Sequence, residues 1–207
     1  PSSHSLFGPR GAALTADGAL WVADTGHHRL LGWPALPTRD NEPAEWLIGQ
    51  PGFGAEGRNA KGEVHGESLN VPTGVCACGD GLAVADAWNH RVLIWLKAPR
   101  ASHQPADVVL GQADAASNLI NRGADRPRAD TLYWPYGVFW DGARLWVADT
   151  GNRRVQIFDT EGKYLREWSI DVPPNYATRA VNGATPAAGS MNGVGAPNSL
   201  CITPGPN

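Results

Sequence analysis

Residues 20–33 (LWVADTGHHRLLGW), 82–95 (LAVADAWNHRVLIW) and 145–158 (LWVADTGNRRVQIF) are near-copies of one another, which leaves few folds open to the chain. Asp24, Asp86 and Asp149 stand 62 and 63 residues apart. A second marker keeps the step: Pro9, Pro72 and Pro135, each two residues before a glycine, are 63 apart, and Pro197 begins a partial fourth copy. Self-similarity at such a period means a repeat architecture, in which each unit buries its apolar face only by stacking on its neighbours.

Each copy alternates apolar and polar residues, breaks at a small polar turn, and resumes with β-branched and aromatic residues, the pattern of a hairpin. In the third copy the spacing predicts a strand over 144–148, a turn over 149–152 and a return strand over 153–158. Gly151 and Asn152 are types that accept positive φ in that turn. A shorter strand precedes each hairpin (12–14, 75–78, 138–140), joined to it by Asp17-Gly18, Asp80-Gly81 or Asp141-Gly142, a strong hairpin signal. A fourth strand is expected at 45–48, 107–110 and 163–168. Four short antiparallel strands per unit describe a propeller blade.

The order Pro-x-Gly, then Leu-x-Val-Ala-Asp-x-x-Asn-His-Arg-Val, resembles the NHL repeat, from residue 9 to about 168. The first copy departs from it with His27-His28 and the third with Asn152-Arg153. The resemblance implies an all-β fold, a β-propeller of four-stranded antiparallel blades, commonly six in number. Blade cores are expected at 9–50, 72–112 and 135–169, with loops at 51–71 and 113–134, a longer connection at 170–196 and the start of a fourth blade at 197–207. Three units and a remnant are fewer than the four to eight blades of a closed propeller. The expectation is therefore an incomplete ring, completed by further sequence or by a second chain, because a free half-ring would expose two apolar blade faces.

A net charge of −3 supplies no general attraction to a phosphate backbone, which makes nucleic acid an improbable partner. No apolar run approaches the length of a membrane span. The three cysteines do not form a complete disulfide set. Cys76 and Cys78 share one face of a strand, and Cys201 follows Pro197 as Cys76 follows Pro72, so all three read as packed thiols near the channel.

Asp24 and Arg29, Asp86 and Arg91, and Asp149 and Arg154 are each five apart across the hairpin turn. A carboxylate there can accept backbone N–H bonds from that turn while pairing with the arginine of the return strand, a structural device, since catalytic groups do not recur in every unit. Trp21, Trp33, Trp95, Trp140 and Trp146 fall in strands and are expected to pack between blades. Trp88 differs, standing in a turn where the other copies have Gly26 and Gly151, and is a better contact candidate. Gly49-Gln50 and Gly111-Gln112 are each followed at constant offset by Asn59 and Asn121 and then by Leu69 and Leu132. Such offsets predict ordered loops, held by Gln and Asn side chains bonding the backbone.

Chain direction puts the turns and these loops on one side of the blades. His27, His28, Trp88, Asn89, His90, Asn152 and Arg153 are the residues expected to ring that face, flanked by Arg58, His65, Arg122, Arg126 and Arg128. Three functions are compatible with it. Spaced polar and aromatic groups favour a scaffold that grips a protein or peptide. The resemblance also implies a metal-dependent lyase or lactonase-like enzyme as an alternative, but His27-His28 side chains on a strand would diverge, no close zinc spacing occurs, and neither a metal nor a cofactor is assigned. An RNA-binding NHL domain ranks third, because Asp125 and Asp130 offset the arginines at 122, 126 and 128.

Overall fold

Each unit folds into one antiparallel sheet whose strands lie side by side in chain order. The computed structural model describes residues 1–169, so the 170–196 connection, the blade start at 197–207 and Cys201 lie outside the described residues. The first sheet comprises β1 (Gly11–Leu14), β2 (Leu20–Asp24), β3 (Arg29–Trp33) and β4 (Trp46–Ile48). The second comprises β5 (Pro72–Cys78), β6 (Gly81–Asp86), β7 (Arg91–Trp95) and β8 (Val108–Leu110). The third comprises β9 (Pro135–Trp140), β10 (Leu145–Asp149), β11 (Arg154–Phe158) and β12 (Tyr164–Ser169). β1 lies against β5 and β5 against β9, an arc of three propeller blades whose ring the described residues do not close.

The structure extends two first strands back to their proline. A register shift after Pro72 in β5, and another opposite Asp149 in β9, lets the strand continue past a bulge. The extension also carries bonds between blades: Thr25 Oγ1 donates to the Pro72 carbonyl and Thr73 Oγ1 to the Tyr136 carbonyl. In the third hairpin Asp149 pairs with Arg154, and the link between them is one turn of 3₁₀ helix, Thr150–Asn152. The left-handed residue is Arg153 (φ 58°), with His28 and His90 in the same place, rather than Gly151 or Asn152. The 3₁₀ turn is right-handed, so reversal is deferred to the residue that enters the return strand.

Strand alternation sends one row of side chains to each neighbouring blade. Trp21, Ala23, Leu30 and Ile48 of the first blade meet Leu69, Val75, Leu82, Val84, Leu93 and Trp95. Ala83, Ala85, Val92 and Ile94 of the second meet Leu132, Val138, Leu145, Val147 and Phe158 of the third. Each large apolar side chain removed from water there contributes roughly 1.5–3 kcal/mol. Trp21 fits because Gly32 lies opposite it: a Cβ at Gly32 would sit 2.8 Å from the indole. Trp33 packs with Val22, Leu31 and Leu47 on the other face of the first blade. Trp146 is half-buried, its indole N–H donated to Asp141, with the Arg144 guanidinium over its ring. Cys76 and Cys78 pack against the second interface, where burial pushes both thiols up, Cys78 to about 11.

Candidate binding face

The charged residues of the repeat lie inside the blades. One carboxylate oxygen of Asp24, Asp86 and Asp149 accepts the backbone N–H of Phe7, Asn70 and Tyr133 at 2.6, 2.7 and 2.8 Å. The other accepts Nε of Arg29, Arg91 and Arg154 at 2.7, 2.8 and 2.8 Å. It also takes the turn side chain of His27, Asn89 or Asn152, each at 2.8 Å. Each arginine then donates to two carbonyls of the segment entering its blade: Ser2 and Ser5, His65 and Ser68, Arg128 and Thr131. Burial pushes the Asp86 and Asp149 carboxyls up, and their N–H donors pull them back.

The left-handed turn residue reaches the next blade. His28 Nδ1 accepts the N–H of Val71 at 3.0 Å, and His90 Nδ1 accepts that of Trp134 at 3.2 Å. A backbone N–H can only donate, so both imidazoles are unprotonated at Nδ1. Burial lowers the His90 pKa to about 4, and burial together with the nearby Arg58 lowers that of His28. The contacted positions are strained, since Val71 and Trp134, each just before the marker proline, have φ of 55° and 48°, values close to the 56° of Gly8 in the first unit. Positive φ is exceptional for a β-branched or bulky side chain.

The loops are fastened to the same turns. Gln50 Nε2 donates to the His28 and Gly57 carbonyls, and Gln112 Nε2 to those of Asn89, His90 and Leu119. The asparagines differ from the backbone-bonding role expected of them. Asn59 pairs amide to amide with Asn89, and Asn121 with Asn152, because a left-handed backbone (φ 48° and 49°) turns each side chain toward the next blade.

Of the residues expected to ring the face, His27, Asn89 and His90 are therefore buried, while His28 and Asn152 are half-buried and already bonded. Arg153 and Arg126 are exposed. Arg122 is tied to Asp130 at 2.6 Å and to the Gln112 carbonyl, and Arg128 also reaches Asp130, so the arginine cluster is partly neutralised. Among the described residues no three His, Cys, Asp or Glu side chains gather closely enough to share a metal ion.

Trp88 is different. Its backbone N–H bonds the Asn70 carbonyl as those of Gly26 and Gly151 bond Phe7 and Tyr133. In the first and third turns the loop supplies the aromatic ring, and a Cβ on Gly26 or Gly151 would lie 2.3 or 2.4 Å from it. In the second the loop residue is the smaller Asn70, and the turn supplies the ring. Trp88 thus leans toward the third blade, 6.5 Å from Trp134 between centroids, with its indole nitrogen 3.4 Å from the Tyr136 hydroxyl. The Tyr133 and Trp134 rings lie 4.6 Å apart at a 39° tilt, and the Arg58 guanidinium lies 4.8 Å over Trp88. Sequence reasoning singles out Trp88 and misses Trp134 and Tyr136. Aligning the pre-proline positions Gly8, Val71 and Trp134 would have exposed the irregularity.

The family model described as NHL repeat matches residues 8–33 and 69–95. The chain is similar to NHL repeat-containing protein 2 of Bos taurus, 27% identical over 170 residues, covering 76% of this chain and 23% of that protein. It is 24% identical to the Homo sapiens protein of the same name over 209 residues, 95% of this chain and 27% of that one. The chain thus spans about a quarter of the length of these curated relatives. Among solved structures, Kuenenia stuttgartiensis hydrazine synthase aligns at TM-score 0.50 and 14% identity over 81% of this chain and 37% of its own, a likeness of fold. A streptogramin B lyase structure aligns at TM-score 0.48 and 14% identity, over 80% of this chain and 42% of that one.

Proposed function

Because this chain is an NHL-repeat protein with a propeller fold, we propose that it is an interaction scaffold gripping an extended peptide of a partner protein on the face formed by its turns and loops. The observation carrying this reading is the pair of half-exposed indoles of Trp88 and Trp134, with the buried Tyr136 bonded to Trp88 and Arg58 stacked on it, on a face where His27, Asn89 and His90 are spent on holding the blades together. Tryptophan, tyrosine and arginine are the residue types that dominate binding energy at protein interfaces. The Trp134 backbone N–H is anchored by His90 and that of Trp88 by the Asn70 carbonyl, so little ordering cost falls on the binding step.

Panning a random linear peptide library against the immobilised chain tests the reading. Peptides enriched on the wild type and absent from a Trp88→Gly, Arg58→Glu variant are the expected outcome. Equal recovery on both proteins, or no enrichment at all, would remove this face as the binding site.

A further inference from the structure

The geometry points to a more definite occupant: we propose that the Trp88 and Trp134 surface takes a proline-rich segment in the polyproline II conformation, with an acidic residue beside the prolines. This deepens the peptide-binding reading above and rests on it. Trp88 and Trp134 are tilted 31° at 6.5 Å, two aromatic faces forming a shallow V rather than a closed stack. Pyrrolidine rings pack against such faces, and a polyproline II chain docks on aromatic grooves at small entropic cost because its conformation is preformed. Its carbonyls bond nothing within the helix and need donors. The Tyr136 hydroxyl accepts the Trp88 indole N–H at 3.4 Å and keeps its own hydrogen, and the Arg58 guanidinium over Trp88 adds further donors.

The surroundings argue against ligands rich in hydroxyls or base edges. The Asn89 amide is engaged by Asn59 and Asp86, and His90 Nδ1 by the Trp134 N–H, so these neighbours have little left for a sugar or nucleobase. Arg58 beside Trp88 is exposed and without an ion pair among the described residues. Its guanidinium stacked on Trp88 suits a carboxylate next to the prolines.

The test is a fluorescence anisotropy titration of the whole chain with a labelled octaproline peptide bearing two N-terminal glutamates, beside its lysine counterpart and a labelled hexauridine. Two variants import features of the other repeats and so are expected to fold. Asn70→Tyr with Trp88→Gly restores the arrangement of the first and third turns, and Trp134→Gly restores the residue found at Gly8; thermal melts verify both. Saturable binding of the glutamate peptide is expected, weakened at least ~10-fold in either variant, with the lysine peptide several-fold weaker at low salt. Absence of saturable binding, equal binding by the variants, or preferential binding of hexauridine overturns the proposal. Should library peptides that depend on Trp88 lack proline, this inference falls while the scaffold reading stands. With no enriched peptides and no titration signal, both fall.

Discussion

Asp86 shows what a single residue does in this fold. It is fully buried, and besides Arg91 it holds the backbone N–H of Asn70 and the amide of Asn89. Asp86→Ala strands the buried Arg91 guanidinium without its counter-charge, and urea denaturation is expected to register a loss of about 3–5 kcal/mol. A loss below about 1 kcal/mol would mean that the carbonyls of Ala115, His65 and Ser68 suffice for Arg91. The five-residue Asp-to-Arg spacing was legible in the sequence; that the N–H comes from the loop entering the blade, at Asn70, rather than from the turn was not, because that loop lies outside the motif. Gly151 teaches a related lesson. Residue type suggests a need for positive φ, yet what excludes a side chain is the Tyr133 ring at 2.4 Å and its carbonyl at 2.7 Å from a Cβ. Gly151→Ala is therefore expected to cost about 1–3 kcal/mol through overpacking. Much of that loss should be recovered in a Tyr133→Asn background, where the pair resembles Asn70 and Trp88; additivity of the two changes would contradict the packing explanation.

At the scale of elements, the loop after each fourth strand is the informative one. The offsets from Gln112 to Asn121 and Leu132 announce an ordered segment, and the Gln112 side chain bonds three carbonyls within it and the adjoining turn. Replacing Gln112 by Leu leaves those carbonyls buried without that donor, so a destabilisation of roughly 1–3 kcal/mol is expected. Amide hydrogen exchange should quicken across residues 113–131 well before it does in β6 and β7. Uniform exchange across blade and loop would instead mean that the two unfold together. Strand order was readable because a period of two and paired turn residues are local signals. The ends of β5 and β9 were not, since a bulge opposite Asp86 or Asp149 depends on the partner strand.

Across the whole molecule, the blades are joined by apolar interfaces and by imidazoles that bridge from one blade to the next. The folded-state pKa of His90, about 4, lies below the ordinary value of 6.5, so the unfolded chain takes up the proton first. That contribution to stability is fully present above about pH 6.5 and is lost as the pH falls toward 4. Among the described residues the rings facing His90 are Tyr133 and Trp134, and around His28 the lowering by Arg58 exceeds the raising by Glu56. His90→Asn keeps a residue tolerant of positive φ with an acceptor for the Trp134 N–H while removing the titration. Its stability is expected to decline less than the wild type's between pH 7 and 4.5, and parallel declines would refute a role for this contact.

Period, hairpins, blade order and the buried Asp-Arg pairs were determined by the sequence alone, because each depends on residues close in the chain or on positions that repeat. Which polar residues remain for a partner was decided only by tertiary structure. His28 and His90 look like a ligand-binding ring in the sequence, and the adjacent blade turns them into acceptors for strained backbone N–H groups. Trp134 and Tyr136 look like ordinary loop and strand residues until the small Asn70 lets Trp88 lean across the blade boundary to meet them. Packing between units is where identical motifs acquire different surroundings, and there one turn becomes a surface unlike the other two.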